Sequence, residues 1–261
     1  MTPALGTLAA VAGAAAGWRA GVLTGSGMAA AAAVGSLVLL GSGWRGGLVL
    51  AVFFVGSSAV SRTTAWAAPP ASEAKGHRRD AWQVLANGAA AGLGALAEWW
   101  DPGLGLWLVT GVLAAAAADT WATSLGGLSR RPPRLILTGR PVPAGANGGV
   151  TLLGTAGGAA GAATVALTGG LLLGRAGLIL PALVIGLAGM LTDSVLGAAW
   201  QGRFRCPACD ASSERRVHRC GRPTTHTGGW RWLTNDGVNA LATGAAAGLA
   251  LAAWWWAGWR S

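Results

Sequence analysis

Three carboxylates lie within, or at the mouth of, long apolar stretches of the sequence. Asp119 and Asp193 lie near the ends of two charge-free stretches, and Asp236 opens a third. An ionised carboxylate in the membrane core costs roughly 3 kcal/mol unless it is paired or lines a cavity. At about 1.5 Å per residue, Asp119 and Asp193 fall about 24 Å into an apolar layer of about 30 Å, close to one membrane face. Asp236 and Asn87 fall at the same level, and we expect the four side chains to meet in one layer.

The residue types in this layer suit a divalent cation bound to phosphate. Thr120 follows Asp119, and Ser194 follows Asp193, so each carboxylate has a hydroxyl beside it. Mg²⁺ takes hard oxygen ligands of this kind and shares them with substrate phosphates. We therefore predict a Mg²⁺ site at Asp119, Asp193 and Asp236. A helix–helix hydrogen bond is the structural alternative for any one of these aspartates.

An asparagine and glycine signature recurs where the chain re-enters an apolar stretch after each basic loop. The signatures are Asn87-Gly88, Asn147-Gly148-Gly149 and Asn235-Asp236-Gly237, and Asn239 follows the last of them. A helix N-terminus with small residues offers free N–H groups to a phosphate, although small residues also serve helix packing. The basic loops add Lys75, Arg78 and Arg140 as further phosphate contacts.

The elements that must position these residues are membrane-spanning helices. Of the 261 residues only 11% are charged, against about 25% in an ordinary soluble domain. This composition has too few charged residues to cover the surface of a soluble protein, so that class is excluded. The apolar stretches, which hold no charged residue besides Glu98, Asp119 and Asp193, cover residues 4–18, 28–43, 46–61, 82–98, 103–124, 149–172, 177–199 and 237–258. They predict an all-α, polytopic transmembrane helical bundle of about seven or eight spans, with the boundary between the second and third left open. The first stretch lacks the basic region of a secretory signal, so we expect a retained helix.

Three polar loops carry most of the nineteen basic residues. They cover about 62–81, 125–148 and 200–236, and an even number of spans separates each loop from the next. Because basic loops face the cytoplasm, we expect all three on the cytoplasmic side of an inner or plasma membrane. The net charge of +10 then reflects membrane topology and not nucleic-acid binding. At the opposite end we expect Trp99, Trp100, Trp107 and the cluster Trp254 to Trp256 at the lipid interface.

The loop at 200–236 holds every cysteine of the chain. Cys206 and Cys209 form a C-x₂-C pair and Cys220 follows, with His218 or His226 as the fourth ligand. This spacing is typical of a zinc knuckle, and a cytoplasmic location argues against a disulfide. A closed four-ligand site is structural, so we expect no chemistry there. Free cysteines in a loop are the alternative.

Five ordered motifs run from Lys75 to the last apolar stretch. They are DAWQVLANG at 80–88, ADTWATSLG at 118–126, NGGVTLLG at 147–154, DSVLGA at 193–198 and NDGVN at 235–239. Together they resemble the family known as domain of unknown function ninety-two, which includes transmembrane protein nineteen and the plant phytyl-phosphate kinase. The chain then divides into N-terminal transmembrane helices, 1–61, and a catalytic transmembrane domain, 62–261.

The resemblance implies a kinase that transfers a phosphoryl group from CTP to an isoprenyl monophosphate, such as phytyl, geranylgeranyl or polyprenyl phosphate, and releases the diphosphate. Mg²⁺ at Asp119, Asp193 and Asp236 would be the cofactor. Asn87, Asn147 and Asn239 would orient phosphates, and Lys75, Arg78 and Arg140 would neutralise charge. The alternatives are a CTP-dependent cytidylyltransferase of the phosphatidate type, a small-solute or ion transporter, and a lipid-binding scaffold without catalysis. Carboxylates clustered at one face, away from the membrane midplane, disfavour the transporter.

Overall fold

The computed structural model describes residues 2–67 and 78–258, and these form seven α-helices and five short strands. The helices are α1 (Pro3–Arg19), α2 (Gly25–Thr63), α3 (Ala81–Ala95), α4 (Leu104–Gly126), α5 (Leu152–Leu172), α6 (Ile179–Ala199) and α7 (Asn235–Trp256). The strands are β1 (Arg134–Leu135), β2 (Gly149–Val150), β3 (Arg203–Cys206), β4 (Ala211–Ser213) and β5 (Thr225–Gly228). Five helices of the described chain, with α2 counted once, are long and apolar enough to cross a membrane. The predicted all-α membrane bundle is confirmed.

The boundary between the second and third predicted spans is a sharp kink inside α2. Gly43 has φ 61° and ψ −157°, a conformation open in practice to glycine alone. The chain folds back at this residue. Leu39 and Gly47 would lie more than two turns apart in a straight helix, but here a Cβ placed on Gly47 would lie 2.5 Å from Leu39 Cδ2. The helix α2 is therefore a hairpin with arms 25–42 and 44–63. With the two arms counted separately, the described chain runs up and down the bundle in eight helical segments.

Helix α4 lies at the centre of the bundle, where every residue from Leu104 to Ala118 is buried. It packs against α2, α3, α5, α6 and α7. Its alanines at 114–118 face glycines of its neighbours: a Cβ placed on Gly161 of α5 would lie 2.8 Å from Ala117 O. Small residues let transmembrane backbones approach closely, and Asp119 directly follows this tightly packed run. Because α2 packs against α3, α4 and α5, the N-terminal helices share this bundle, and the division of the chain at residue 61 stays a prediction.

The tryptophans near the C-terminal end of α7 do not all lie at the surface. Trp256 is 93% exposed, as predicted for the lipid interface, but Trp107 and Trp254 are fully buried, so that part of the prediction is wrong. Their indole N–H groups donate to Ala250 O at 2.8 Å and to Asp101 Oδ2 at 2.7 Å. An indole can be buried when its N–H has such a partner. Both contacts fasten α7 to the first turns of α4 and the segment before it.

The three polar segments between α2 and α3, α4 and α5, and α6 and α7 leave the bundle at one end, here named the loop face. At this end Ser61 Oγ of α2 lies 3.3 Å from Ser124 Oγ of α4. Thr24 N donates to Arg79 O at 3.0 Å, which joins the turn after α1 to the start of α3. The predicted arrangement of the loops on a common side is confirmed for the described parts of these segments.

We expect Gly43→Ala to lower the free energy of unfolding by about 1 to 3 kcal/mol, because alanine must adopt a backbone conformation reserved for glycine. Thermal unfolding in detergent measures the effect. Gly244→Ala is the matched control, since a Cβ at this helical position meets no atom within 4 Å and alanine favours a helix. Equal unfolding temperatures for the two variants would contradict the hairpin geometry at Gly43.

Candidate metal and phosphate site

Three of the four polar residues predicted to share a layer line one cavity at the loop face, and Asn239 takes the place expected for Asp236. Asn87 comes from α3, Asp119 from α4, Asp193 from α6 and Asn239 from α7. The cavity is small, with a volume of about 10 Å³. Its remaining lining consists of small side chains, namely Ala115, Ala116, Gly189, Ala242 and Thr243. Helices α3, α4 and α6 thus bring Asn87, Asp119 and Asp193 to one cavity, and the roles of these residues as ligands stay a prediction.

The two aspartates meet because α4 and α6 approach most closely one turn before them. A Cβ placed on Gly189 would lie 2.4 Å from Ala115 Cβ, so only a glycine allows this distance. Gly189 and Ala115 each precede an aspartate by four residues, which puts Asp193 and Asp119 one helical turn farther along the same facing sides. Both aspartates line the same cavity. Two carboxyl groups in a dry site are accommodated by protonation of one of them or by a cation between them.

The hydrogen bonding of Asp193 fits such a cation. Its Oδ2 atom is buried and accepts no hydrogen bond from any residue that the structure describes. A buried acceptor without a donor is costly, and a bound ion satisfies it. Asn87 Nδ2 donates to Gln83 O at 2.8 Å, which leaves the amide oxygen of Asn87 for a ligand. Carboxylate and amide oxygens form the hard donor set that Mg²⁺ prefers.

Helix α7 contributes to the cavity through its second and third turns. Asp236 lies in the first turn, outside the cavity lining, while Asn239 lies within it and Asn235 is exposed. Sequence reasoning missed Thr243, whose Oγ1 donates to Ala86 O at 2.8 Å or to the carbonyl of Asn239 at 2.9 Å. The first of these contacts ties α7 to α3 directly beside Asn87. The signal was available, because Thr243 follows Asn239 by one helical turn.

The predicted phosphate loop at Asn147 to Gly149 lies beside the cavity, against the end of α6. Gly148 has φ 73°, and a Cβ placed on it would lie 2.3 Å from Ala198 Cβ and 2.6 Å from Ser194 O. Strand β2, which begins at Gly149, pairs with β1 and holds the loop from the other side. The loop therefore adjoins α6 one turn beyond Asp193, near Ser194.

The other predicted phosphate contacts lie farther out or are already engaged. The Thr120 hydroxyl donates to Ala116 O at 2.8 Å. Arg78 donates through Nε and Nη2 to Leu23 O at 3.0 and 2.9 Å, so its guanidinium holds the turn after α1. Arg140 is exposed in the loop between α4 and α5. Lys75 lies outside the described residues.

Arg79, which sequence reasoning left out, is placed deeper than Arg78. Its Nη1 lies 3.3 Å from Ser58 Oγ, and its guanidinium carbon lies 5.7 Å from the centre of the Phe54 ring. A second cavity of about 20 Å³ adjoins it, lined by Val22, Ser58, Ser61, Arg62 and Arg79. Positive charge at the loop face therefore comes from Arg62 and Arg79 beside α2, in addition to the basic residues of the loops.

The predicted zinc ligands converge in space, and the structure selects His218 as the fourth. The ligand atoms of Cys206, Cys209, His218 and Cys220 all lie within 4.8 Å of one another. His226 is turned away, since its Nε2 lies 3.0 Å from Gly229 O. The sequence spacing alone left both histidines open.

The charges of these thiols fit a metal site. The hydrogen bond with His218 lowers the pKa of the Cys220 thiol to about 6, so this sulfur is a thiolate at neutral pH. The pKa of Cys209 is raised to about 11, chiefly by its hydrogen bond to Cys220. Sulfurs so crowded cannot all carry negative charge unless a cation lies among them.

Glu214 is an acidic residue whose role the sequence did not reveal. Its Oε1 accepts a hydrogen bond from Gln201 Nε2 at 3.1 Å, and Gln201 is buried two residues beyond the end of α6. The only sequence signal was its position between Cys209 and His218.

Comparison with known proteins places the chain in a family. The family described as integral membrane protein DUF92 matches residues 8–247. The chain belongs to this family. The match begins well before Lys75, where the recognised motifs start, so membership of DUF92 extends to the N-terminal helices. The resemblance inferred from the five motifs is confirmed.

The relatives that match this DUF92 protein are similar over different lengths. An uncharacterized membrane protein of Synechocystis sp. is 33% identical over 243 residues, which cover 88% of this chain and 82% of that protein. Protein PGR of Arabidopsis thaliana is 32% identical over 230 residues, 77% of this chain and 78% of that protein. An uncharacterized membrane protein of Methanocaldococcus jannaschii is 42% identical over 89 residues, 34% of this chain and 37% of that protein. No solved structure matches. With its apolar helices, this DUF92 protein is an integral, multi-pass membrane protein.

We expect Gly148→Ala to destabilise the protein by about 2 to 4 kcal/mol, since the new methyl group clashes with α6 and also requires a left-handed backbone. Gly139→Ala is the control, because Gly139 also has a positive φ of 68° but faces open space. Thermal unfolding of both variants separates the clash from the backbone strain. A Gly148→Ala protein as stable as Gly139→Ala would show that the Asn147 loop does not lie against α6.

Proposed function

We propose that this protein is a Mg²⁺-dependent membrane kinase that transfers the γ-phosphoryl group of CTP to an isoprenyl monophosphate. One observation carries the proposal: Asp119, Asp193, Asn87 and Asn239 line a common cavity at the loop face, and Asp193 keeps a buried oxygen without a donor. The reaction class comes from the resemblance to a family that includes the plant phytyl-phosphate kinase.

The location of the cavity suits a lipid phosphate. The outer surfaces of the helices are apolar, as shown by the exposed side chains of Leu152, Leu180 and Val184, so an isoprenyl chain can lie in the lipid against the bundle. Its phosphate then reaches the loop face, where the basic loops supply positive charge. Because basic loops face the cytoplasm, we assign the loop face to the cytoplasmic side, where the nucleotide is present.

The donor set in the cavity fits a magnesium ion. Asp119 and Asp193 would hold it, with the amide oxygens of Asn87 and Asn239 beside them. Bound there, Mg²⁺ would supply neutralising charge to the phosphate oxygens of the nucleotide. Asp236 lies one turn from Asn239, at the helix start, where it can act on the same ion through water. The loop at Asn147 and Gly148 would orient phosphate through its backbone N–H groups.

The transfer itself places few demands on the protein. An oxygen of the isoprenyl phosphate attacks the γ-phosphorus of CTP and forms the new P–O bond. The bond from the γ-phosphorus to the β–γ bridging oxygen breaks, and CDP leaves with that electron pair. The attacking phosphate is already ionised at neutral pH, so no general base is required. The chain's contribution is positioning and charge stabilisation.

The test is a transfer assay in detergent or liposomes with CTP labelled at the α- or γ-phosphate and with geranylgeranyl or phytyl phosphate as acceptor. We expect γ-label in the lipid diphosphate, loss of turnover on EDTA treatment, and recovery with Mg²⁺. Asp119→Asn and Asp193→Asn each remove one charge at the site and should lower kcat by about 100-fold or more. Asp210→Asn is the control, because Asp210 is exposed and pairs with Arg205 at 2.6 Å.

Several results would contradict the proposal. Label from the α-phosphate in the lipid would indicate a cytidylyltransferase. Solute or ion movement into liposomes without CTP turnover would indicate a transporter. Full activity of Asp119→Asn would remove the cavity from the mechanism.

A further inference from the structure

The segment that carries the Cys/His cluster is too small to be stable by packing alone. Its sheet has the order β4-β3-β5, with strands of four residues or fewer. A sheet of this size has little apolar area to bury and needs a crosslink, a metal or a partner surface. Among the described cysteines none forms a disulfide. The four converging ligand atoms are therefore the feature that can order this segment.

The ligand geometry fits zinc. Cys206 Sγ and Cys220 Sγ lie 3.7 Å apart, and His218 Nδ1 lies 3.1 Å from Cys220 Sγ. Zinc with bonds of about 2.3 Å to sulfur in a tetrahedral site separates two sulfurs by about 3.8 Å. Three thiolates and one imidazole form a closed, structural zinc site.

Glu214 lies inside the loop that such a site would close. Cys209 precedes it and His218 follows it, so a bound ion would fix the chain on both sides. Ser213 holds the same turn, since its Oγ accepts from Arg215 N at 2.9 Å and donates to Arg215 O at 3.1 Å. The backbone at Glu214 would therefore be fixed by Cys209 on one side, by His218 on the other, and by the hydrogen bonds between Ser213 and Arg215.

The side chain of Glu214 connects this segment to the cavity. It accepts the hydrogen bond from Gln201, which is buried against the end of α6. A Cβ placed on Gly197 would lie 3.4 Å from Gln201 Oε1 and 3.5 Å from Gly148 N, so Gln201 also adjoins the Asn147 loop. Asp193 lies one turn before Gly197 on α6, so the hydrogen bond between Gln201 and Glu214 brings this carboxylate to the end of the helix that carries Asp193.

We infer that Cys206, Cys209, His218 and Cys220 bind one structural Zn²⁺, and that this zinc holds Glu214 beside Gln201 at the end of α6, where its carboxylate adds a third negative charge to the Asp119 and Asp193 cation site. The zinc assignment is independent of the reaction, whereas the role of Glu214 rests on the proposed cation site. This role explains why the exposed hairpin carries a carboxylate to the buried Gln201 at the end of α6: a cation nearby offsets the repulsion from Asp193.

The experiment measures two metals on the purified full-length protein. Zinc content is measured by mass spectrometry, and the dissociation constant for Mn²⁺, a paramagnetic substitute for Mg²⁺, by electron paramagnetic resonance. We expect about one zinc per chain, lost in Cys209→Ser and in His218→Ala and kept in His226→Ala. Glu214→Gln retains an acceptor for Gln201 and should keep its zinc but bind Mn²⁺ about 10-fold more weakly or worse. Cys209→Ser should weaken Mn²⁺ binding to a similar extent.

The controls separate this inference from the proposed function. Asp210→Asn removes a carboxylate from the same hairpin and should leave both metals unchanged, so Mn²⁺ binding lost equally in Asp210→Asn and Glu214→Gln would overturn the inference. Unchanged Mn²⁺ binding in Glu214→Gln, with weakened binding in Asp193→Asn, would overturn the role of Glu214 and leave the proposed cation site intact. Unchanged Mn²⁺ binding in Asp193→Asn would overturn both. Wild-type protein without zinc would overturn the zinc assignment.

Discussion

The burial of two neighbouring carboxylates at the end of an apolar bundle is the constraint on which the rest of the structure depends. Asp119 and Asp193 lie on facing helices, and Asp193 Oδ2 lacks a hydrogen-bond donor among the described residues. A buried pair of this kind destabilises the bundle unless a cation satisfies it. The proposed Mg²⁺ would turn this unfavourable pair into a binding site, so that the same two groups limit stability without the ion and bind phosphate with it.

The close helix contacts around α4 make that pair possible. Ala114 and Ala115 of α4 and the glycines opposite them on α6 let the two helices pack closely. The next turns of both helices, which carry Asp119 and Asp193, therefore line the same cavity. Buried tryptophans fasten the other end, since Trp107 and Trp254 join α4 and α7 through indole hydrogen bonds. One end of the bundle is thus held by large side chains with satisfied polar atoms, while the loop face leaves Asp193 Oδ2 and the amide oxygen of Asn87 available for a ligand.

Much of this arrangement followed from the sequence, because helix rise converts residue number into depth. That relation placed Asp119, Asp193 and Asn87 at one level, and the structure brings them together. Contacts made through folded loops were not accessible in this way. Ligand spacing left His218 and His226 equivalent, and nothing local connected Glu214 to α6 through Gln201. The buried tryptophans were misplaced for a related reason: an indole suits both the lipid interface and a core position with a partner for its N–H, and sequence alone does not reveal that partner.

The proposed function and the further inference share one central claim, that a divalent cation binds between Asp119 and Asp193. Anomalous diffraction from a crystal of the protein soaked in Mn²⁺ locates such an ion directly. We predict a peak within about 2.5 Å of Asp193 Oδ2 and of an Asp119 carboxylate oxygen, with a distinct zinc peak at Cys206 and Cys220 measured at the zinc absorption edge. Strong Mn²⁺ peaks elsewhere, with none in the cavity between the two aspartates, would contradict the account.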